Sequence, residues 1–126
     1  MLICDDEAVL RRLVRASLRE RDYELIDAAD GDEALLLARE QEPDLILLDV
    51  MMPGRTGLDV LLCLQQESRL ASIPVVMLTA RTQDADRAAA LGAGVRRFLP
   101  KPFSPSELGA LVDELLVDAV AEAGSR

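Results

Sequence analysis

Between Asp44 and Asp49 the chain runs Leu45-Ile46-Leu47-Leu48 with no polar break. Such a run fits a central strand covered on both faces, the arrangement parallel sheets require. Four other short apolar runs share its character: Met1–Cys4, Tyr23–Ala28, Ile73–Leu78 and Val95–Leu99. Between them lie stretches that read as helices: Glu7–Arg21, Asp32–Gln41, Leu58–Glu67 and the alanine-rich Thr82–Leu91. The first places Val9, Leu10, Leu13, Val14 and Leu18 on one face, and the second turns Ala34, Leu35 and Ala38 inward. Gly92 stands where a C-terminal cap belongs. The last helix has the sharpest start signal, with Ser104 at the N-cap, Pro105 at the first helical position and Glu107 three residues after the cap. It is expected to run to about Val120.

Strict alternation of five strands and five helices defines an α/β domain with one parallel sheet. Right-handed crossovers then put helices on both faces, in three layers. A chain of 126 residues suits one such domain, with no need of a disulfide or structural metal. Residues 1–120 are expected to form it, with 121–126 as a tail or the start of a linker.

Composition narrows the function. There are 14 Lys and Arg against 23 Asp and Glu, a formal net charge of −9. A chain this acidic gains nothing from the counterion release that drives nucleic-acid binding, and it is repelled by anionic membrane surfaces. There is no histidine. That excludes a Ser-His-Asp triad, a His-ligated zinc and a phosphohistidine carrier built from this chain alone. Cys4 and Cys63 have no metal-like spacing and read as small buried apolar residues in a reducing compartment. No signal peptide or bilayer-length apolar run is evident, so a cytoplasmic location is expected.

In sheets of this kind ligands bind beyond the carboxyl ends of the strands. Asp5 and Asp6 follow the first strand, Asp49 the third, Thr79 the fourth, and Lys101-Pro102 the fifth. If all strands are parallel, three carboxylates, a hydroxyl and an ammonium converge on one edge. Each residue alone has an ordinary explanation. Asp5 or Asp6 could cap the first helix, Thr79 could be a strand-end hydroxyl, and Lys101 could be a solvated lysine. Asp49 is harder to dismiss, because it ends a strongly apolar strand. Three close acids repel one another unless a cation intervenes, and Mg²⁺ is the natural one: hard, oxygen-seeking and ready to leave positions for phosphate oxygens. Lys101 and Thr79 add positive charge and a donor. These are the components of phosphoryl transfer with a carboxylate nucleophile.

The residues resemble the receiver domains of bacterial response regulators across nearly the whole chain. The resemblance is carried by Asp5-Asp6, by Leu47-Leu48-Asp49-Val50-Met51-Met52-Pro53-Gly54, by Leu78-Thr79-Ala80 and by Phe98-Leu99-Pro100-Lys101-Pro102-Phe103. It implies a flavodoxin-like sheet of order 2-1-3-4-5. It implies that Asp49 accepts the phosphoryl group and that Asp6 ligates Mg²⁺ directly, with Asp5 holding a metal-bound water. The Met51 backbone carbonyl would complete the protein's share of the coordination. Lys101 would contact one phosphoryl oxygen, Thr79 another, and the Ala80 amide would assist. The Lys101–Pro102 bond is expected to be cis. Thr79 and Phe98 are the expected switch pair, changing the surface around the fourth helix, fifth strand and fifth helix.

The partners so implied are a sensor histidine kinase or phosphotransfer protein, then an output domain or downstream protein, with homodimerisation on phosphorylation as a further mode. Arg96 and Arg97 stand where many such domains carry acids that support a charged dimer face, which speaks against that mode here. A receiver would assist only its own phosphorylation and dephosphorylation, with no turnover of a separate substrate. Three other readings compete. An aspartyl-nucleophile phosphatase of the haloacid-dehalogenase kind would need an acid at position 51, which is Met. A flavodoxin-like FMN binder would need a phosphate-cradling loop where Asp5-Asp6-Glu7 stands. A receiver serving only as a phosphorylation-independent interaction module would not need Asp6, Asp49, Thr79 and Lys101 together.

Overall fold

The computed structural model of the chain describes residues 1–21, 23–52, 54–79, 92, 94–101 and 103–124, with side chains to residue 116 in the last helix. Five strands, β1 (Leu2–Cys4), β2 (Ile26–Ala28), β3 (Ile46–Asp49), β4 (Val75–Thr79) and β5 (Arg97–Pro100), form one sheet of order β2-β1-β3-β4-β5. Every pairing is parallel. Four helices are described: α1 (Ala8–Ser17), α2 (Gly31–Gln41), α3 (Gly57–Gln65) and the C-terminal helix α4 (Pro105–Gly124). The expected helix at 82–91 lies outside the described residues. Among the described residues no helix is long and apolar enough to cross a membrane.

The strand sequences explain the layers, because successive side chains leave a strand on opposite faces. Leu2, Cys4, Ile46, Leu48, Val75 and Met77 form one core with Ala34, Leu35 and Ala38 of α2 and Val60, Leu61 and Leu64 of α3. Ile3, Leu45, Leu47, Val76, Leu78 and Leu99 form the other with Val14 and Leu18 on the α1 side and Leu108, Val112 and Leu115 of α4. Each fully buried Leu or Ile contributes roughly 1.5–3 kcal/mol. The central strands β1, β3 and β4 are buried along their whole length.

Local chemistry sets the helix ends. Asp30 caps α2 through the Glu33 amide (2.8 Å), and α2 stops at Glu42, which adopts φ 43 before Pro43. Thr56 and Asp59 form a reciprocal capping box at α3. At α4 the Ser104 hydroxyl accepts the Glu107 amide (3.1 Å) and lies 3.2 Å from the Glu107 carboxylate. On α1 the expectation needs correction. Val14 and Leu18 are buried and Leu10 is half-buried, but Val9 is 72% exposed and Leu13 38%. The apolar stripe is wider than the sheet can cover, so its outer margin faces solvent. The helix also ends at Ser17 rather than Arg21. β2 is three residues rather than six, and α4 extends to Gly124. Of the two cysteines, Cys4 is buried and Cys63 only half-buried.

Two sets of polar contacts bind helix to helix. Arg39–Glu67 (2.9 Å), Arg69–Glu42 (3.5 Å) and Arg55–Asp32 (2.5 Å) tie α2 to α3 and its flanks. Exposed pairs of this kind contribute at most about 1 kcal/mol each. On the opposite face Arg21 donates to both Asp113 oxygens from Nε (2.8 and 3.0 Å), and Tyr23 donates its hydroxyl to the same carboxylate (2.7 Å). Hydrogen bonding from Arg21, and then from Tyr23, holds the Asp113 carboxyl below the usual aspartate range. The Arg21 guanidinium lies where a side chain at Gly109 would go, 2.6 Å from the position of a Cβ.

A glycine inside a helix costs about 1 kcal/mol relative to alanine. Gly109→Ala should therefore stabilise by about 1 kcal/mol in an Arg21→Ala background and lose that gain when Arg21 is present. Urea denaturation of the four variants measures the loss of that gain; equal gains in both backgrounds would rule out the steric account.

Candidate functional site

Because every strand is parallel, the carboxyl ends of β1, β3, β4 and β5 share one edge. Asp5 and Asp6 follow β1, Asp49 ends β3, Thr79 ends β4, and Lys101 follows β5. The sequence expectation of convergence holds for the acids and the lysine. Lys101 Nζ lies 3.1 Å from Asp5 Oδ2 and 3.2 Å from Asp49 Oδ1. One carboxylate oxygen from each of Asp5, Asp6 and Asp49 lies within 4.8 Å of the other two. Asp5 and Asp49 are buried, whereas Asp6 is exposed. The Lys101 amide donates to the Thr79 carbonyl (2.6 Å), which ties the ends of β4 and β5 together beneath the ammonium.

The electrostatics are unbalanced by design of the sequence: three carboxylates face one ammonium. Burial pushes the Asp49 carboxyl above the usual aspartate range, and the charge of Asp5 pushes the same way. The Lys101 ammonium and the Met51 amide, which donates to Asp49 Oδ1 (3.2 Å), oppose this and lose. For Lys101, burial acts to lower the pKa. The Asp5 hydrogen bond and the charges of Asp49 and Asp5 outweigh it, so the ammonium is held protonated. Hard oxygen donors in excess of their counter-charge suit a hard divalent cation. Among the described residues, Asp5, Asp6 and Asp49 form the group that could hold one.

Thr79 is buried, and among the described residues its hydroxyl has no hydrogen-bond partner. A buried hydroxyl without a partner costs about 1–3 kcal/mol. It stands at the edge where an oxygen-rich ligand would supply one. Met51 is 72% exposed on the rim. Phe98 is half-buried on β5, opposite Met77 of β4, and packs against the α2–α3 core. Ala80 and Pro102 lie outside the described residues, and with them the Ala80 amide contact and the Lys101–Pro102 cis bond.

Two residues that sequence reasoning passed over shape the site. Gly57 opens α3 directly against the backbone of the candidate acceptor. A Cβ there would sit 2.3 Å from the Asp49 carbonyl oxygen and 2.8 Å from Val50 Cα, while the Gly57 amide donates to the Val50 carbonyl (2.9 Å). Its signal was a glycine at a helix start just after a Thr cap, where no local conformation demands one. Arg11 of α1 donates to the Asp5 carbonyl. Nothing local marks it, since its other partner, Asp27, lies on a different strand.

A doubly wound parallel sheet with an acid cluster, a bridging lysine and a buried hydroxyl at its carboxyl edge defines a receiver-type signalling module. The response regulator receiver domain family matches residues 1–113, and the chain belongs to that family. It is 43% identical over 116 residues to the transcriptional regulatory protein ResD of Bacillus subtilis (strain 168), covering 92% of this chain and 47% of that protein. It is 40% identical over 116 residues to the phosphate regulon transcriptional regulatory protein PhoB of Escherichia coli (strain K12), covering 92% and 51%. The chain thus spans about half the length of these curated relatives. Among solved structures, the chemotaxis protein CheY4 of Vibrio cholerae superposes with a TM-score of 0.85 at 32% identity, covering 90% of this chain and 95% of that one.

The raised Asp49 carboxyl has a consequence for stability. The native state takes up that proton at a higher pH than the unfolded chain does. Its charged form is therefore a liability above the raised pKa, and the liability fades as pH falls toward the ordinary value of about 3.9. In chelator, Asp49→Asn should melt higher than wild type at neutral pH, with the gap closing on acidification through that window. A gap that widens on acidification would contradict the assignment. Gly57→Ala should cost about 1–3 kcal/mol through backbone overpacking, read by denaturant titration.

Proposed function

We propose that the chain is a phosphorylation-dependent switch in which Asp49 accepts a phosphoryl group from a phosphohistidine on a sensor kinase or phosphotransfer protein. The observation that carries the reading is the Lys101 ammonium set between Asp5 and Asp49 on the same edge as the orphaned Thr79 hydroxyl. An Asp49 carboxylate oxygen attacks phosphorus, a P–O bond forms, and the P–N bond to the donor imidazole breaks. Lys101 neutralises charge on one phosphoryl oxygen and Thr79 donates to another. Asp6, Asp49 and the Met51 carbonyl, with Asp5 behind them, would hold Mg²⁺, which would supply charge neutralisation at the transferring oxygens. Hydrolysis of the acyl phosphate resets the switch.

Drawing Thr79 toward the phosphoryl group alters packing at the end of β4, and Phe98 on the neighbouring strand responds. The face read by a partner includes β5 and α4, where Arg97 pairs with Glu114 (2.6 Å). The relatives are transcriptional regulators by name, which supports an output domain as the reader; a separate protein or a second copy of the chain would meet the same face. A net charge of −9 supports a DNA contact made outside residues 1–126 rather than by them.

Intact-protein mass spectrometry after incubation with acetyl phosphate tests this. One phosphoryl adduct is expected in the presence of Mg²⁺, lost with chelator and absent in Asp49→Ala. A folded wild-type protein that takes no phosphoryl group from acetyl phosphate or from a phosphohistidine donor would favour a phosphorylation-independent interaction module.

A further inference from the structure

Asp5 is held at all four of its polar atoms. Its amide donates to the Ala28 carbonyl (3.1 Å). Its Oδ1 accepts from the Glu7 amide (2.8 Å) and its Oδ2 from Lys101 Nζ (3.1 Å). Its carbonyl accepts from Arg11 Nη1. Asp6 differs. It is exposed, and among the described residues no hydrogen bond or ion pair holds its carboxylate. Its position comes from the backbone that carries it. The peptide joining Asp5 to Asp6 is the one whose carbonyl Arg11 holds.

Arg11 is itself fixed. Its side chain is only 17% exposed, and its Nε lies 3.7 Å from Oδ2 of Asp27 on the edge strand β2. One turn further along α1, Arg15 donates to Oδ1 of the same carboxylate from Nε (3.1 Å) and Nη2 (2.8 Å), and from Nη2 to the Leu25 carbonyl (3.1 Å). Asp27 is thereby pinned from one side by Arg15 and offers its other oxygen to Arg11. Strand β2 reaches the acid cluster through this relay as well as through the Ala28 carbonyl.

We infer that Arg11 is a positioning residue for the cation site: anchored on Asp27, its guanidinium fixes the plane of the Asp5–Asp6 peptide so that both carboxylates present to a divalent cation. The inference rests on reading Asp5, Asp6 and Asp49 as that site. A positive charge near a cation site opposes binding if charge alone acts. Asp27 cancels that charge locally, which leaves geometry as the contribution of Arg11. Lysine is a poor substitute, because a single ammonium cannot serve a carbonyl and a carboxylate with the fixed fork of a guanidinium. Partners that orient metal-binding groups from behind are commonly worth 10–100-fold in affinity.

The test is calorimetric titration of Mg²⁺ into metal-free wild type, Arg11→Lys and the charge-balanced double variant Arg11→Met/Asp27→Asn, with the melting temperature of each metal-free protein measured alongside. The double variant should bind Mg²⁺ about ten-fold more weakly than wild type, with Arg11→Lys in between. Wild-type or tighter affinity in folded variants overturns the inference. So does a lowered melting temperature with unchanged affinity, the mark of a purely structural arginine. Should the double variant fail to fold, the affinity of Arg11→Lys decides by the same criterion. If the wild type itself takes up no Mg²⁺, the cation site and the role of Arg11 fall together. If the wild type binds and the variants match it, only the role of Arg11 falls.

Discussion

Lys101 stands between Asp5 and Asp49, and the carboxyl edge of the sheet is arranged around it. Without that ammonium, two buried carboxylates from adjacent strands would face each other unscreened, with a third close by. Its position depends on the whole topology. The fifth strand must run parallel to the first and third, and its end must be tied to the end of the fourth through the Thr79 carbonyl. The compensation is incomplete by two charges, three carboxylates against one ammonium. That deficit is what makes the edge receptive to a cation; burial first, and the charge of Asp5 second, keep the Asp49 carboxyl raised. A fully neutralised site would be more comfortable and would have less to gain from a ligand.

Much of this was legible in the sequence. Parallel strands show themselves as unbroken apolar runs, and Leu45–Leu48 could be nothing more exposed than a covered strand. Once the strands are parallel, residues at their ends share an edge by geometry, so Asp5, Asp6, Asp49, Thr79 and Lys101 could be grouped without coordinates. Element ends were less legible. α1 was read too long and its outer margin was read as core, because periodicity reports an apolar stripe but not how much of it the sheet can cover. β2 was read too long because Tyr23 and Leu25 are apolar yet pack beside the sheet rather than in it. Arg11 and Gly57 were missed for a common reason. Asp27 meets Arg11 only once the chain has turned from α1 into β2, the Asp49 backbone meets Gly57 only where the chain folds back between β3 and α3, and neither residue carries a local pattern that names its partner.

The two faces of the sheet are held in different ways. On one, three ion pairs join α2 and its C-cap to the segments flanking α3, and the sulfurs of Cys4 and Met52 lie 3.2 Å apart. On the other, the segment between α1 and β2 is tied to α4 through Arg21, Tyr23 and Asp113. Gly57 packs directly against the backbone of Asp49 and Val50, whereas Met51 opens to solvent.

The pinning of Asp27 reaches beyond the site. β2 is an outer strand with one neighbour, and its free side offers backbone groups that a foreign strand could pair with. It is only three residues long, and its middle residue is an aspartate gripped by two arginines from α1. β5, the opposite outer strand, begins with the exposed Arg97. Both margins of the sheet thus carry short strands and fixed charge, poor templates for sheet extension. Joining of sheets between copies of the chain is thereby disfavoured at both margins.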